Sequence, residues 1–314
     1  MRYRFEIFAV SCLTQIKGVI PAMPTFFKDT GDVCYSDLQL AVDFAIRCKV
    51  SGIAVLVIGG EFYKLSEGER KRIASASVKA TQGRMPVYVG VSHSGLPPAI
   101  DLAKHAENIG ADGVILTTPY FTSMRKEIEE TKMQFIRVFC DKCKLPVILQ
   151  FFNTDNSIQF SLKEIDRLLG EFQNIKALKI EGEGSQKLVR ELHTIYGSRI
   201  SILGGKLGIN LPEEIRDGVS GTIPGLSFSD IIARAFTSFK HNWNDGLKTL
   251  SLLNPYFHYM ENHFDQFVAI EKELLRLRNV IKNPGLRLPG LSVPESETKN
   301  LSELIRLILV HSDS

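Results

Sequence analysis

From residue 18 onward the chain alternates short apolar runs with longer amphipathic ones. The short runs are "GVIPAMP" (18–24), "GIAVLVI" (52–58), "PVYVGVS" (86–92), "GVILTTP" (113–119), "PVILQFF" (146–152), "IKALKI" (175–180), "ISILGG" (200–205) and "SGTIPG" (220–225). Continuous apolar character suits parallel strands buried on both faces. The stretches between them carry helix signals. Ser66 followed by Glu69, and Ser161 followed by Glu164, are capping boxes. "YSDLQLAVDFAIRC" opens at a serine with Asp37 just after it, and Pro97 and Pro98 sit where a first helical turn starts.

Eight βα units between residues 18 and 241 predict an α/β fold, a (β/α)8 TIM barrel. The alternative, a doubly wound sheet, has fewer strands and a glycine-rich dinucleotide turn after the first. Here the first strand runs into "MPTFF" instead. Beyond residue 241 the strand pattern stops. Residues 242–282 and 297–310 read as helices joined by "NPGLRLPGLSVP" (283–294), so residues 242–314 are expected to form a C-terminal helical segment on the barrel. Residues 1–17 read as a short N-terminal extension.

Composition narrows the picture. The apolar fraction is 44% and the charged fraction 23%, values of a globular protein with a full core. A net charge of +3 is too small to argue for nucleic acid. The runs "RKR" (70–72) and "LRLR" (275–278) read as solvated helix faces. Five scattered cysteines suggest reduced thiols in a cytoplasmic protein, and the lone CxxC of Cys140 and Cys143 falls at a helix end without partners for zinc. No apolar run reaches transmembrane length, so no membrane partner is expected.

"NIKALKIEGEG" (174–184) carries two lysines three residues apart. Strand alternation sends them to opposite faces. On the barrel reading Ile175, Ala177 and Lys179 point inward, while Lys176, Leu178 and Ile180 lie under the helices. Lys179 then stands inside the C-terminal end, where barrels of this kind carry their active sites. Burying an ammonium there is costly, and a neutral amine can attack a ketone to form a Schiff base. The bland alternative is a structural ion pair with Glu181, which shares its face.

Several motifs, in order and spacing, resemble the dihydrodipicolinate synthase / N-acetylneuraminate lyase family of pyruvate-dependent class I aldolases. They are "GVIPAMPTFFKDTGDV", "VIGGEFYKLSEGER", "GADGVILTTPYF", "NIKALKI" and "GVSGTIPG", and they cover nearly the whole chain from Gly18. The resemblance implies a barrel with C-terminal helices, a homo-oligomer (tetramer or dimer), no metal or organic cofactor, and a small-molecule 2-keto acid held on Lys179 as an imine. The chain departs from the family pattern at three places. The turn that normally supplies two hydroxyls reads Val57, Ile58, Gly59, Gly60, Glu61. Phe121 stands where the family tyrosine is expected, with Tyr120 beside it. Gln150 and Phe151 replace a tyrosine-asparagine pair. With Ser92–His93 and the acid two residues after the lysine, these features look more like the family's 2-keto-3-deoxy sugar acid dehydratase and aldolase branch.

The candidate catalytic residues are therefore Lys179, Glu181 as acid/base or ion-pair partner, and Tyr120. The glycine turn, Gly59 and Gly60, is expected to offer backbone amides to the substrate carboxylate, with Glu61 structural. His93, Gln150, Gly205, Lys206 and Thr222 are expected to line the pocket. His93 also reads as a loop histidine and Lys206 as an exposed rim lysine. Three functions remain open: a Schiff-base lyase on a 2-keto-3-deoxy sugar acid, a synthase condensing pyruvate with an aldehyde, and a non-catalytic keto-acid-binding paralogue.

Overall fold

The computed structural model describes residues 15–117, 128–153, 160–182 and 185–312. Eight parallel strands form one sheet: β1 (Gly18–Val19), β2 (Ile53–Val55), β3 (Val87–Gly90), β4 (Gly113–Thr117), β5 (Val147–Asn153), β6 (Ile175–Gly182), β7 (Ser201–Gly204) and β8 (Gly221–Thr222). Neighbours follow chain order and β1 pairs with β8. A parallel bridge between Ala22 and Ala54 joins the first strand to the second and closes the ring. The helices between them are α1 (Tyr35–Arg47), α2 (Glu67–Thr81), α3 (Leu96–Asn108), α4 (Ile128–Lys142), α5 (Leu162–Glu171), α6 (Ser185–Tyr196), α7 (Leu211–Asp217) and α8 (Ser229–Phe239). This is the expected (β/α)8 barrel. Four more helices follow: α9 (Trp243–Ser251), α10 (Asn254–Asn262), α11 (Phe267–Leu277) and α12 (Glu295–Ser312). No helix among the described residues is long and apolar enough to cross a membrane.

Local chemistry explains most helix ends. Both capping boxes form: Ser66 and Ser161 accept from the amides of Glu69 and Glu164, whose side chains return to the cap amides. Helix α1 differs from expectation. It starts after Cys34 without a side-chain cap. Asp37 is instead buried and accepts the amides of Lys282 (3.3 Å) and Asn283 (2.9 Å). Its carboxylate is used to fasten the segment after α11.

Two apolar layers result from strand parity. Ile20, Ala54, Tyr88, Ile115, Ile148, Ala177, Leu203 and Ile223 fill the barrel interior, and a larger cluster packs between sheet and helices. Ile175 was expected inside but belongs to the outer cluster. A register shift at Val147/Ile148 pairs Val147 with Ile175 and Ile148 with Ala177, so one residue of β6 is skipped. Beyond that irregularity alternation resumes, and Leu178 and Ile180 face the helices.

The two basic runs are not simply solvated faces. Arg70 is buried, donating to the Gly90 carbonyl at 3.1 Å and stacking 4.9 Å from the Phe62 ring centroid. Arg278 pairs with Asp230 at 2.7 Å and lies 5.1 Å from the Phe228 ring centroid. In both, the planar guanidinium covers an aromatic face while its N–H groups reach fixed acceptors.

Buried polar links hold α11 against the barrel. Glu271 accepts from Ser227 N (3.0 Å), Ser227 Oγ (2.7 Å) and Tyr256 Oη (2.6 Å). Lys272 is fully buried and reaches Glu61 Oε2 at 2.5 Å and the Gly285 carbonyl at 3.2 Å. These contacts bring the C-terminal helices to the mouth of the barrel.

Candidate active site

The C-terminal ends of the strands open into a cavity of about 710 Å³. Its floor is built by inward-pointing positions. The interior residues Ile148 and Ala177 are followed two places later by Gln150 and Lys179, which are register partners on β5 and β6. Both are buried and both line the cavity. Two places further on, Glu181 lies on the same face, and its Oε1 forms an ion pair with Lys179 Nζ. The strand rise of about 3.3 Å per residue stacks the pair along one wall.

Gly204 at the end of β7 and Gly205 just after it make room for this arrangement. A β-carbon at Gly205 would fall 2.6 Å from Glu181 Cγ, so any other residue displaces that side chain. The following residues Lys206 and Leu207 adopt positive φ (46° and 63°), and the Lys206 amide reaches Glu181 Oε1 at 3.4 Å. Glu181 is thus held from one side by an ammonium and from the other by a backbone turn.

A further carboxylic acid stands close by. Glu214, on α7, is buried, and a β-carbon at Gly204 would fall 2.7 Å from its Oε1. Burial first, then the Glu181 charge, pushes its carboxyl up to about 8, against the opposing pull of the Gly205 amide and Lys179. Sequence reading passed over it, because helix α7 reads as an ordinary surface helix beginning "LPEE". The only available signal was the Gly204–Gly205 pair, whose missing side chains leave space on both faces of β7.

The glycine turn is a short 3-10 segment, Ile58–Gly60. The Gly60 amide donates to the Val57 carbonyl at 2.8 Å, and its carbonyl accepts from Thr25. That amide is therefore committed to the turn, and Gly60 is not on the cavity wall, whereas Gly59 is. Glu61 closes the turn in the left-handed region (φ 54°) and is buried between Lys64 (2.5 Å) and Lys272 (2.5 Å). Burial lowers the proton affinity of Lys272, and Glu61 opposes that effect. Lys64 also lines the cavity, a position that sequence reading missed.

Other expected site residues fall elsewhere. His93 accepts the Gly95 amide on Nδ1 (2.9 Å) and faces Glu67 with Nε2 (3.5 Å), which is the loop-histidine reading, and it does not line the cavity. Ser92 accepts the Thr117 amide at 2.9 Å, a structural use. Thr222 is fully buried off the cavity, because Ile223, just after β8, takes the inward position. Gly205 acts through the space that it leaves. Lys206 is on the rim and lines the cavity. Tyr120 and Phe121 lie outside the described residues. Above the floor, the wall is completed by Tyr63, Phe264, Phe267, Leu286 and Leu291, four of them from segments beyond the barrel's last strand that no barrel-only reading brings to the site. Burial, and secondarily Glu61, raises the proton affinity of the Tyr63 phenol. Among the described residues no three His, Cys, Asp or Glu side chains gather as a metal site.

A closed (β/α)8 barrel whose C-terminal mouth holds a buried lysine ion-paired with a part-buried glutamate has its cavity at the end where barrels of this kind carry their active sites. The comparisons then give the family. Residues 15–308 match the dihydrodipicolinate synthetase family, and the chain belongs to it. The 4-hydroxy-tetrahydrodipicolinate synthase of Methanocaldococcus jannaschii is 30% identical, over 92% of this chain and 98% of its own. The L-2-keto-3-deoxyarabonate dehydratase of Azospirillum brasilense is 25% identical, over 93% of both chains. The crystal structure of dihydrodipicolinate synthase from Rhodopseudomonas palustris superposes with a TM-score of 0.84 at 25% identity, covering 93% of this chain and 97% of that one. The chain is thus similar to lyases of more than one named activity.

Proposed function

We propose that this protein is a Schiff-base lyase acting on a 2-keto acid, of the kind that dehydrates or cleaves a 2-keto-3-deoxy sugar acid. The observation that carries the reading is the Lys179–Glu181 ion pair on the cavity floor beside Gln150. A lysine so placed transfers its proton to Glu181, and its free amine attacks the C2 carbonyl. The carbonyl oxygen takes one proton from the attacking nitrogen and one back from Glu181 and leaves as water, and a protonated imine remains. That imine accepts the electron pair of the C3–H bond and so acidifies the C3 proton. Glu181 then removes a C3 proton to give the enamine and returns it to the C4 hydroxyl, which leaves as water as the enamine electrons flow back. Atoms balance with one carboxylate serving first as base and then as acid.

The Gly59 backbone edge and Lys64 are the groups nearest to hand for the substrate carboxylate, with Gln150 hydrogen-bonding beside the imine. The similarity to the Azospirillum dehydratase supports the sugar-acid branch. The similarity to the Methanocaldococcus synthase supports a second reading, pyruvate condensation with an aldehyde on the same lysine.

Borohydride reduction in the presence of pyruvate and of 2-keto-3-deoxy acids, read by peptide mass spectrometry, tests the reading. Reduced adducts at Lys179, with turnover of a 2-keto-3-deoxy acid, are expected. Turnover of pyruvate with aspartate semialdehyde favours the second reading. No adduct at saturating ligand refutes both and leaves a non-catalytic paralogue.

A further inference from the structure

Glu214 is 7% exposed, and its Oε2 has no hydrogen-bond partner in the described structure. It approaches β7 from the helix layer at Gly204, while Glu181 approaches from the barrel interior at Gly205. Strand alternation puts these successive glycines on opposite faces, so two carboxyl groups flank the same short backbone segment. The groups acting electrostatically on Glu214 are Glu181 and Lys179 on β6, Glu213 on its own helix, and the Gly205 amide just after β7. The next rim cation is Lys206, whose amide holds Glu181. Thr222, the register partner of Gly204, also has a buried hydroxyl without a partner. Burial first, and then the like charge of Glu181 beside the same backbone segment, favour a neutral carboxylic acid here over a carboxylate.

We propose that Glu214 is a positioning residue that acts through the Lys179–Glu181 pair: held as a neutral acid behind Gly204, it keeps the cluster at one ammonium and one carboxylate. This rests on the Lys179 imine reading. Loss of the Glu214 proton adds a second negative charge beside the ion pair. That charge opposes both removal of the proton from the Lys179 nitrogen and approach of an anionic keto acid. Adduct formation therefore fails on the alkaline side at the pH where Glu214 ionises, about 8.

The test follows the rate of borohydride-trapped pyruvate adduct from pH 6 to 10 in the wild type and in Glu214→Gln. The wild-type rate breaks downward near pH 8, and the break is absent in Glu214→Gln, which is faster at pH 9 on the order of tenfold, the effect of about one pKa unit. Equal pH profiles in the two proteins overturn the inference while leaving the imine intact. No adduct at any pH overturns the imine reading and this inference with it. Gly204→Ala, which pushes the Glu214 carboxyl out of its place, is the second variant if Glu214→Gln does not fold. It is expected to move the break, and an unmoved break overturns the inference. In the wild type itself, the infrared band of a protonated carboxyl is expected at pH 7 and lost by pH 10; a fully ionised set of carboxyls at pH 7 refutes a neutral Glu214.

Discussion

Replacing Lys272 by methionine isolates the link between α11 and the glycine turn. Lys272 is fully buried, with its ammonium 2.5 Å from Glu61 Oε2 and 4.6 Å from the Phe27 ring centroid. Methionine preserves most of the stem's volume, so packing is largely kept. What is lost is one of the two cations on Glu61, which is 1% exposed. Breaking a buried pair by removing one partner costs about 3–5 kcal/mol, because the other charge is left uncompensated. Lys64 still contacts Glu61 at 2.5 Å, which places the expected loss near the lower end, about 3 kcal/mol. Urea denaturation followed by far-UV circular dichroism measures it. The double variant Glu61→Gln with Lys272→Met is expected to recover none of that loss, since it takes the carboxylate away from Lys64, whose side chain is 7% exposed. Because Glu61 closes the turn that carries Gly59 to the cavity, the single variant should also weaken keto-acid binding, read as a higher KM. A loss below about 1 kcal/mol, or a double variant more stable than the single one, would refute the reasoning.

Other perturbations follow the same logic. Gly205→Ala should displace Glu181 and abolish imine formation, as the overlap with Cγ demands, while the melting curve shows a folded barrel; retained adduct formation contradicts the geometry. The Arg287 guanidinium hydrogen-bonds to Glu69 and holds its carboxyl down at about 2. A depressed folded-state pKa stabilises above the unfolded value of about 4.5 and is lost as pH falls towards 2. Acid unfolding in that window should therefore be blunted in Glu69→Gln, measured as the difference in melting temperature between pH 6 and pH 3. Glu214 has the opposite sign: its raised folded pKa means that its contribution is lost as pH rises from about 4.5 through about 8, so Glu214→Gln should gain relative stability at pH 9 over pH 5. Burial pushes the Cys48 and Cys140 thiols up to about 12 and Cys143 to about 11, so these three thiols should resist iodoacetamide at pH 7 until the protein is unfolded, as read by peptide mass spectrometry.

The eight-unit barrel and the inward lysine were legible because they rest on periodicity. A buried parallel strand must be apolar on both faces, and alternation then assigns a face to each residue. Alternation by itself puts Lys179 and Glu181 on one face, while Gln150 stands opposite Lys179 because the register shift at Val147/Ile148 skips one residue of β6. Helix starts at Ser66 and Ser161 were equally readable, because a capping box is complete within four residues. Alternation failed at Ile175, where a register shift consumes one position.

Everything that depends on contacts distant in sequence was decided by the tertiary structure. Lys272 is 211 positions from Glu61, and nothing in "IEKELLRLR" marks which of its charges will be buried. Arg278 reads as a solvated charge until Asp230 and two aromatic rings are brought to it. Glu214 reads as a helix-surface residue until Gly204 and Gly205 let two carboxyl groups converge on one strand. The sequence by itself determined which strands form and which face each side chain takes, because those follow from a local repeat of the backbone. Only the tertiary structure decided which charges lose their water, because desolvation depends on what other segments cover them.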